Sequence, residues 1–153
     1  MADGIALLAR LILGGALLYA GLTKVGFPQA SARAVQAYQI LPFELAAYVG
    51  YVLPALEILI GGLLVIGLFS RPMAAAGTIL MVIFIAGIAS AWARGLSIDC
   101  GCFGGGGEVA AGQTAYPAEI ARDVLFAACG LWVWLRGPGR LALDRLLAGR
   151  NHR

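Results

Sequence analysis

Two cysteines one residue apart are the side chains in this sequence best suited to covalent chemistry. Cys100 and Cys102 flank Gly101, and a run of glycines follows from Gly104 to Gly107. A disulfide closed across one intervening residue forms a small ring that departs from relaxed disulfide geometry, so such a bond is comparatively easy to reduce. Gly101 allows backbone angles that a residue with a Cβ would resist. The spacing therefore favours a redox-active pair over a purely structural disulfide.

Charged residues in or beside apolar stretches are candidates for managing protons or stabilising a thiolate: Lys24, Glu57, Arg94 and Asp99. Glu57 lies near the middle of its stretch, where a carboxylate costs several kcal/mol unless it is paired, protonated or in contact with water. The alternative role for Glu57 is a structural ion pair with Arg10 or Lys24. Asp99 is expected to oppose thiolate formation at the neighbouring Cys100.

The third cysteine is expected to stand apart from the pair. Cys129 lies roughly 18 Å along its helix from Pro117 at about 1.5 Å per residue, too deep to pair unless the loop folds into the bundle. An apolar packing role is favoured over a redox relay, and both stay open. No metal is expected, because zinc prefers four ligands and the only histidine, His152, is predicted on the opposite membrane face.

The elements that must position these residues are membrane helices. Of the 153 residues, 61% are hydrophobic and 12% charged, and the mean hydropathy is +0.87, which excludes an ordinary soluble domain. We predict an all-α integral membrane four-helix bundle that forms a single transmembrane domain over 1–153. Its helices are expected at about 4–27, 43–69, 72–94 and 117–136, with an interfacial segment at 29–41 and an amphipathic tail at 138–153.

The distribution of basic residues predicts the orientation of the bundle. Short cytoplasmic segments hold an excess of lysine and arginine, and here these residues are Arg71, Arg136, Arg140, Arg145, Arg150 and Arg153. Both termini are therefore expected to be cytoplasmic, with the cysteine loop on the outer side, where disulfides persist. Leucines alternate with the arginines of the tail, so membrane lipid is the expected partner of this segment and nucleic acid is not.

A seam spacing of four and three residues predicts which face of each helix points into the bundle. The predicted stripes are Arg10, Gly14, Leu17, Gly21 and Lys24 in the first helix; Gly50, Pro54, Glu57, Gly61 and Leu64 in the second; Ala76, Leu80, Ile83, Gly87, Ser90 and Arg94 in the third; and Glu119, Arg122, Phe126, Cys129 and Val133 in the fourth.

Several short motifs in this chain resemble the MauE (methylamine utilisation) membrane proteins of the DoxX-like group. They are Ala20 to Lys24, Tyr38 to Pro42, Leu53 to Glu57, Arg94-Gly95 and Cys100 to Gly104. The resemblance runs from about residue 5 to residue 135. It implies a multi-pass protein of the bacterial inner (plasma) membrane that handles thiols and disulfides with an extracytoplasmic thioredoxin-like partner. It also implies that Cys100 and Cys102 are the redox pair, and it includes Glu57 and Lys24 as motif residues.

The leading hypothesis is therefore a membrane thiol-disulfide oxidoreductase. By analogy with other membrane bundles of this function, a quinone is the candidate second electron carrier. Two alternatives remain: a non-enzymatic membrane anchor or scaffold subunit for a redox enzyme, and a small-molecule or ion carrier built around Glu57 and Arg10. The sequence leaves open which cysteine attacks first.

Overall fold

Helices account for most of the structure. The computed structural model describes residues 1–150, so the predicted roles of His152 and Arg153 lie outside the described residues. In chain order the helices are α1 (Ala2–Val25), α2 (Pro28–Ala37), α3 (Phe43–Ile66), α4 (Ser70–Ala93), α5 (Tyr116–Arg136) and α6 (Leu143–Arg150). The four long helices lie within a few residues of the stretches predicted from hydropathy.

Three of the long helices have the length and composition of membrane spans. Within residues 1–150 these are α1, α3 and α4, each 24 residues long with a mean hydropathy of 2.0 to 2.2 over the best window. Helix α5 is shorter and carries Glu119, Arg122, Asp123 and Arg136. The chain is thus an all-α membrane protein with three clear spans, and α5 differs from them because of its charges.

Helices α1 and α3 pack closely along the predicted stripes. All five predicted stripe residues of α1 and all five of α3 are buried, so this part of the sequence analysis is confirmed. A Cβ on Gly14 would lie 2.9 Å from the Leu64 Cβ, and one on Gly21 would lie 2.7 Å from the Pro54 oxygen. Glycines at these positions therefore allow the two backbones to approach each other.

Helices α4 and α5 pack on each other and complete the core around α1. The predicted stripe of α4 is only partly right: Ala76 and Leu80 pack against the core, but Ile83 is 58% exposed and Arg94 is exposed. The residues of α4 that the structure buries are Ser70, Ala74, Gly77, Met81, Ile88 and Ala91. In α5 the buried residues are Tyr116, Asp123, Gly130 and Val133, of which only Val133 was on the predicted stripe. These helices are apolar on nearly every side, so the hydrophobic pattern does not distinguish the face toward the core from the face toward lipid. The predicted face was therefore displaced by about one residue.

The segment after α5 folds back onto one end of the bundle. Arg10 donates hydrogen bonds to the carbonyls of Pro138 and Leu141, each 3.1 Å long. The Asp144 carboxylate accepts hydrogen bonds of 2.8 Å from the backbone N–H groups of Phe69 and Ser70, which caps the first turn of α4. Arg10 therefore holds the tail, and it is not the partner of Glu57.

At the opposite end, the loop between α4 and α5 forms a short ribbon that the sequence did not predict. Strands β1 (Ile98–Asp99) and β2 (Gly107–Glu108) pair antiparallel. Glycines 101, 104, 105, 106 and 107 all have φ between 68° and 107°, a region that side chains with a Cβ disfavour. A Cβ on Gly101 would lie 2.8 Å from the Ala34 Cβ. The loop therefore folds tightly against α2 at the end of the bundle.

Candidate functional site

The cysteine pair lies at the turn of this ribbon, covered by the bundle. Cys100 is 8% exposed and Cys102 is 7% exposed, and both are free thiols. The backbone N–H of Cys102 donates a 3.3 Å hydrogen bond to the Cys100 Sγ. The Asp99 carboxylate accepts a 3.1 Å hydrogen bond from the Gly101 N–H. These contacts hold the two sulfurs on the same side of a tight turn.

A guanidinium group from α5 contacts the first sulfur. Arg122 Nη2 lies 3.7 Å from the Cys100 Sγ, and its guanidinium carbon lies 4.6 Å from the centre of the Phe103 ring. Asp123 pairs with the same guanidinium at 2.9 Å. Arg122 is therefore held in place both by stacking and by an ion pair.

The two thiols differ in their electrostatic environment. A hydrogen bond from the Cys102 thiol, supported by the Cys102 N–H and Arg122, lowers the pKa of Cys100, although burial and Glu119 act in the opposite direction. The same interaction with Cys100 is the largest cause that raises the pKa of Cys102, followed by burial and by the charges of Cys100 and Asp123. These interactions therefore favour a thiolate on Cys100 over one on Cys102.

Lys24 and Glu57 form a buried ion pair between α1 and α3. Lys24 Nζ lies 2.7 Å and 2.9 Å from the two Glu57 carboxylate oxygens, and the side chains are 5% and 0% exposed. Phe84 of α4 packs its ring 5.8 Å from the same ammonium. Of the two partners considered for Glu57, the structure selects Lys24.

A small cavity separates this ion pair from the cysteine loop. Its lining includes Glu57, Cys102, Phe103 and Asp123, and its volume is about 10 Å³. That volume is close to the minimum that holds one water molecule. Cys102 thus lines a small cavity in the bundle interior, whereas Cys100 contacts Arg122.

The remaining predicted site residues lie elsewhere. The Arg94 guanidinium donates to the Tyr38 carbonyl, to the Gln39 carbonyl at 3.4 Å and to Ser90, so it ties the α2–α3 connection to the end of α4. The Tyr38 hydroxyl donates a 3.1 Å hydrogen bond to the Cys100 carbonyl. Arg94 therefore acts on the pair only through Tyr38.

Cys129 is half-buried and packs against the apolar core cluster that contains Leu13 and Val133. The paired cysteines belong to a different cluster at the end of the bundle. This placement matches the packing role considered for Cys129.

The cavity that Cys102 lines is about 10 Å³, whereas ligand pockets are typically several hundred Å³. The quinone and the absence of a metal stay predictions. Asp99, Cys100 and Glu119 bring three ligand-type atoms within 4.8 Å of one another. The Arg122 guanidinium adds a positive charge at the same sulfur, which opposes cation binding. This cluster by itself does not define a metal site.

Arg122 and Asp123 were not identified as site residues from the sequence. Arg122 was placed on the interior stripe of α5 without a role, and Asp123 lay one residue off that stripe. Both could have been identified from the sequence, since they form an adjacent pair of opposite charges inside an apolar stretch. Charges within a membrane helix usually face a partner or a functional site.

The family model described as methylamine utilisation protein MauE matches residues 2–136, which is most of the chain and includes the cysteine loop and all four long helices. No curated protein and no solved structure matches the chain.

Proposed function

The chain belongs to the MauE family of methylamine utilisation proteins, and we propose that it is a membrane thiol-disulfide oxidoreductase. In this proposal Cys100 and Cys102 exchange electrons with a thioredoxin-like protein outside the cytoplasm. The observation that carries the proposal is the asymmetry of the pair: a guanidinium lies at one sulfur, and a small, mainly apolar cavity that Asp123 also lines lies at the other. A structural clip has no need for such a difference.

The proposed orientation follows from charge and topology. Helix α5 acts as the fourth span, with Glu119, Arg122 and Asp123 turned toward the cysteine loop and the bundle interior. Both termini are cytoplasmic, and the β1–β2 loop lies on the outer face of a bacterial inner membrane. The exposed leucines of α6, Leu143, Leu146 and Leu147, rest on lipid.

Exchange begins at Cys100. Its thiolate attacks one sulfur of a partner disulfide; a new sulfur–sulfur bond joins Cys100 to the partner, and the other partner sulfur leaves as a thiolate. Cys102 then loses its proton and attacks the Cys100 Sγ, which releases the second partner thiolate. Two electrons pass to the partner, and the reverse sequence carries two electrons back. Because both thiols are more than nine-tenths covered, docking must displace part of the glycine-rich loop.

The alternatives gain less support from the geometry. A carrier that uses Glu57 needs access to its carboxylate, yet that carboxylate is fully buried and both oxygens contact Lys24. A scaffold subunit is compatible with the fold but leaves the placement of Arg122 at the Cys100 sulfur without a purpose.

The Arg122 variant tests the assignment of Cys100 as the nucleophile. Because the guanidinium stabilises the thiolate, Arg122→Met should raise the pH midpoint of Cys100 alkylation by about one unit. The rate of modification by iodoacetamide is measured against pH, with the modified cysteine identified by mass spectrometry. Arg136→Met is the matched control, since Arg136 lies on the same helix but stacks on Trp132. An unchanged midpoint in Arg122→Met would remove the electrostatic basis of the assignment.

A further inference from the structure

Asp123 has a buried carboxylate, and one of its two oxygens has no hydrogen-bond partner in the part of the chain that the structure describes. The residue is 1% exposed. Its Oδ1 accepts from Arg122 Nε at 3.0 Å and pairs with Nη2 at 2.9 Å. Its Oδ2 is buried and has no hydrogen-bond partner among the described residues. Leaving a buried carboxylate oxygen unsatisfied is costly, so this arrangement calls for a function.

The Asp123 side chain lines the same cavity as Cys102. No other carboxylate in that lining is similarly available, because both oxygens of Glu57 contact Lys24. The rest of the lining comes from apolar residues of α1, α4 and α5 together with Phe103. Asp123 is therefore the proton acceptor best placed for the Cys102 thiol.

We propose that Asp123 is a catalytic residue that takes the proton of Cys102 as Cys102 attacks Cys100, and returns it in the reverse reaction. This inference rests on the proposed function. In the step itself the proton moves from the Cys102 sulfur to Asp123 Oδ2, the Cys102–Cys100 bond forms, and the bond from Cys100 to the partner breaks. The partner sulfur leaves with the electron pair of that broken bond.

The charged side chains around Cys102 and Asp123 form two ion pairs. Lys24 from α1 and Glu57 from α3 form one neutral pair, and Arg122 and Asp123 of α5 form another. Cys100 from the loop is bonded to the partner and is uncharged at this stage. Moving a proton from Cys102 to Asp123 leaves the net charge of the group unchanged. When the partner thiolate then leaves, the group gains one positive charge, which lies on the Arg122 guanidinium, whose side chain is 29% exposed.

Ellman's reagent, a small aromatic disulfide, separates the two steps in the intact protein. Attack by Cys100 releases one thionitrobenzoate, and attack by Cys102 releases the second. All variants carry Cys129→Ala, so that the third thiol does not react. Asp123→Asn keeps an acceptor for Arg122 but cannot take the proton.

The first release by Asp123→Asn should stay within a few-fold of the parent rate, and the second should slow about 100-fold. Raising the pH should restore the second release in the variant, because hydroxide then removes the Cys102 proton. Glu108→Gln, an exposed carboxylate of β2, is the control and should leave both releases unchanged.

The outcomes separate this inference from the function on which it rests. If the parent protein releases no second thionitrobenzoate, the oxidoreductase proposal fails. If the parent completes both releases and Asp123→Asn matches it in both, the role of Asp123 is wrong. Should Asp123→Asn not fold, the parent protein in D₂O decides: slowing of the second release alone supports the proton transfer, and equal rates in H₂O and D₂O refute it.

Discussion

Replacing Cys102 with serine is expected to stop the reaction with Ellman's reagent after one equivalent, with the reagent left attached to Cys100. Replacing Cys100 with serine is expected to slow the first release on the order of 100-fold. The reason is the unequal environment of the two sulfurs. The pKa of Cys100 is lowered by hydrogen bonds from Cys102 and Arg122. In Cys100→Ser the largest cause that raises the pKa of Cys102, its interaction with Cys100, is removed, but burial still raises that pKa. Each pKa unit changes the thiolate fraction about tenfold when the pH lies below both values.

The measurement is the absorbance of released thionitrobenzoate, combined with intact mass to detect the adduct. The parent with Cys129→Ala should release two equivalents, and the Cys100→Ser, Cys102→Ser double variant should release none. A rapid first release and a stable adduct in Cys100→Ser, together with a slow first release in Cys102→Ser, would reverse the assigned roles.

Breaking the Lys24–Glu57 pair is expected to give the largest loss of stability. Lys24→Met leaves the Glu57 carboxylate buried without a partner, which costs about 3–5 kcal/mol in the free energy of unfolding. The cost is high because both side chains lie between α1 and α3 with at most 5% exposure. Unfolding of the detergent-solubilised protein, followed by circular dichroism against denaturant, measures the loss.

The double variant Lys24→Met, Glu57→Gln is the matched control for this prediction. Removing both charges should recover much of the stability that Lys24→Met loses, because no charge is then left buried alone. A single variant as stable as the parent would mean that the carboxylate is solvated or neutral and that the ion pair does not hold the helices together.

The packing of α1 and α3 could be predicted from the sequence, because charged residues in a membrane helix point into the protein and not toward lipid. On α1, Arg10 and Lys24 are too polar to face lipid, and Gly14 and Gly21 share their stripe. On α3, Glu57 fixes the stripe in the same manner. Polar and small residues at a common spacing therefore predicted the α1–α3 interface correctly.

The other two long helices lack such a constraint. Helix α4 has no charged residue between Arg71 and Arg94, so its seam was placed one residue away from the buried Gly77 and Met81. On α5 the same offset concealed Asp123, whose neighbour Arg122 was on the predicted stripe. An adjacent arginine and aspartate look like a solvated pair in a linear sequence, and only the fold shows that they reach Cys100 and the cavity.

The conformation of the cysteine loop also had to come from the structure. Its glycines have positive φ angles and form a compact ribbon in which both thiols are buried, a conformation that the residue types alone do not specify. Cys129 packs in a cluster separate from the cysteine pair, which agrees with its distance along the helix from Pro117.

The redox titration of Cys100 and Cys102 tests the central claim most directly. The purified protein is equilibrated with glutathione at a range of reduced-to-oxidised ratios, free thiols are trapped, and the modified sites are assigned by mass spectrometry. The account predicts one reversible two-electron transition that involves both cysteines together, at a potential in the range of exchange catalysts, roughly −270 to −120 mV. A pair that stays oxidised under strongly reducing conditions, or that never forms a mutual disulfide, would contradict it.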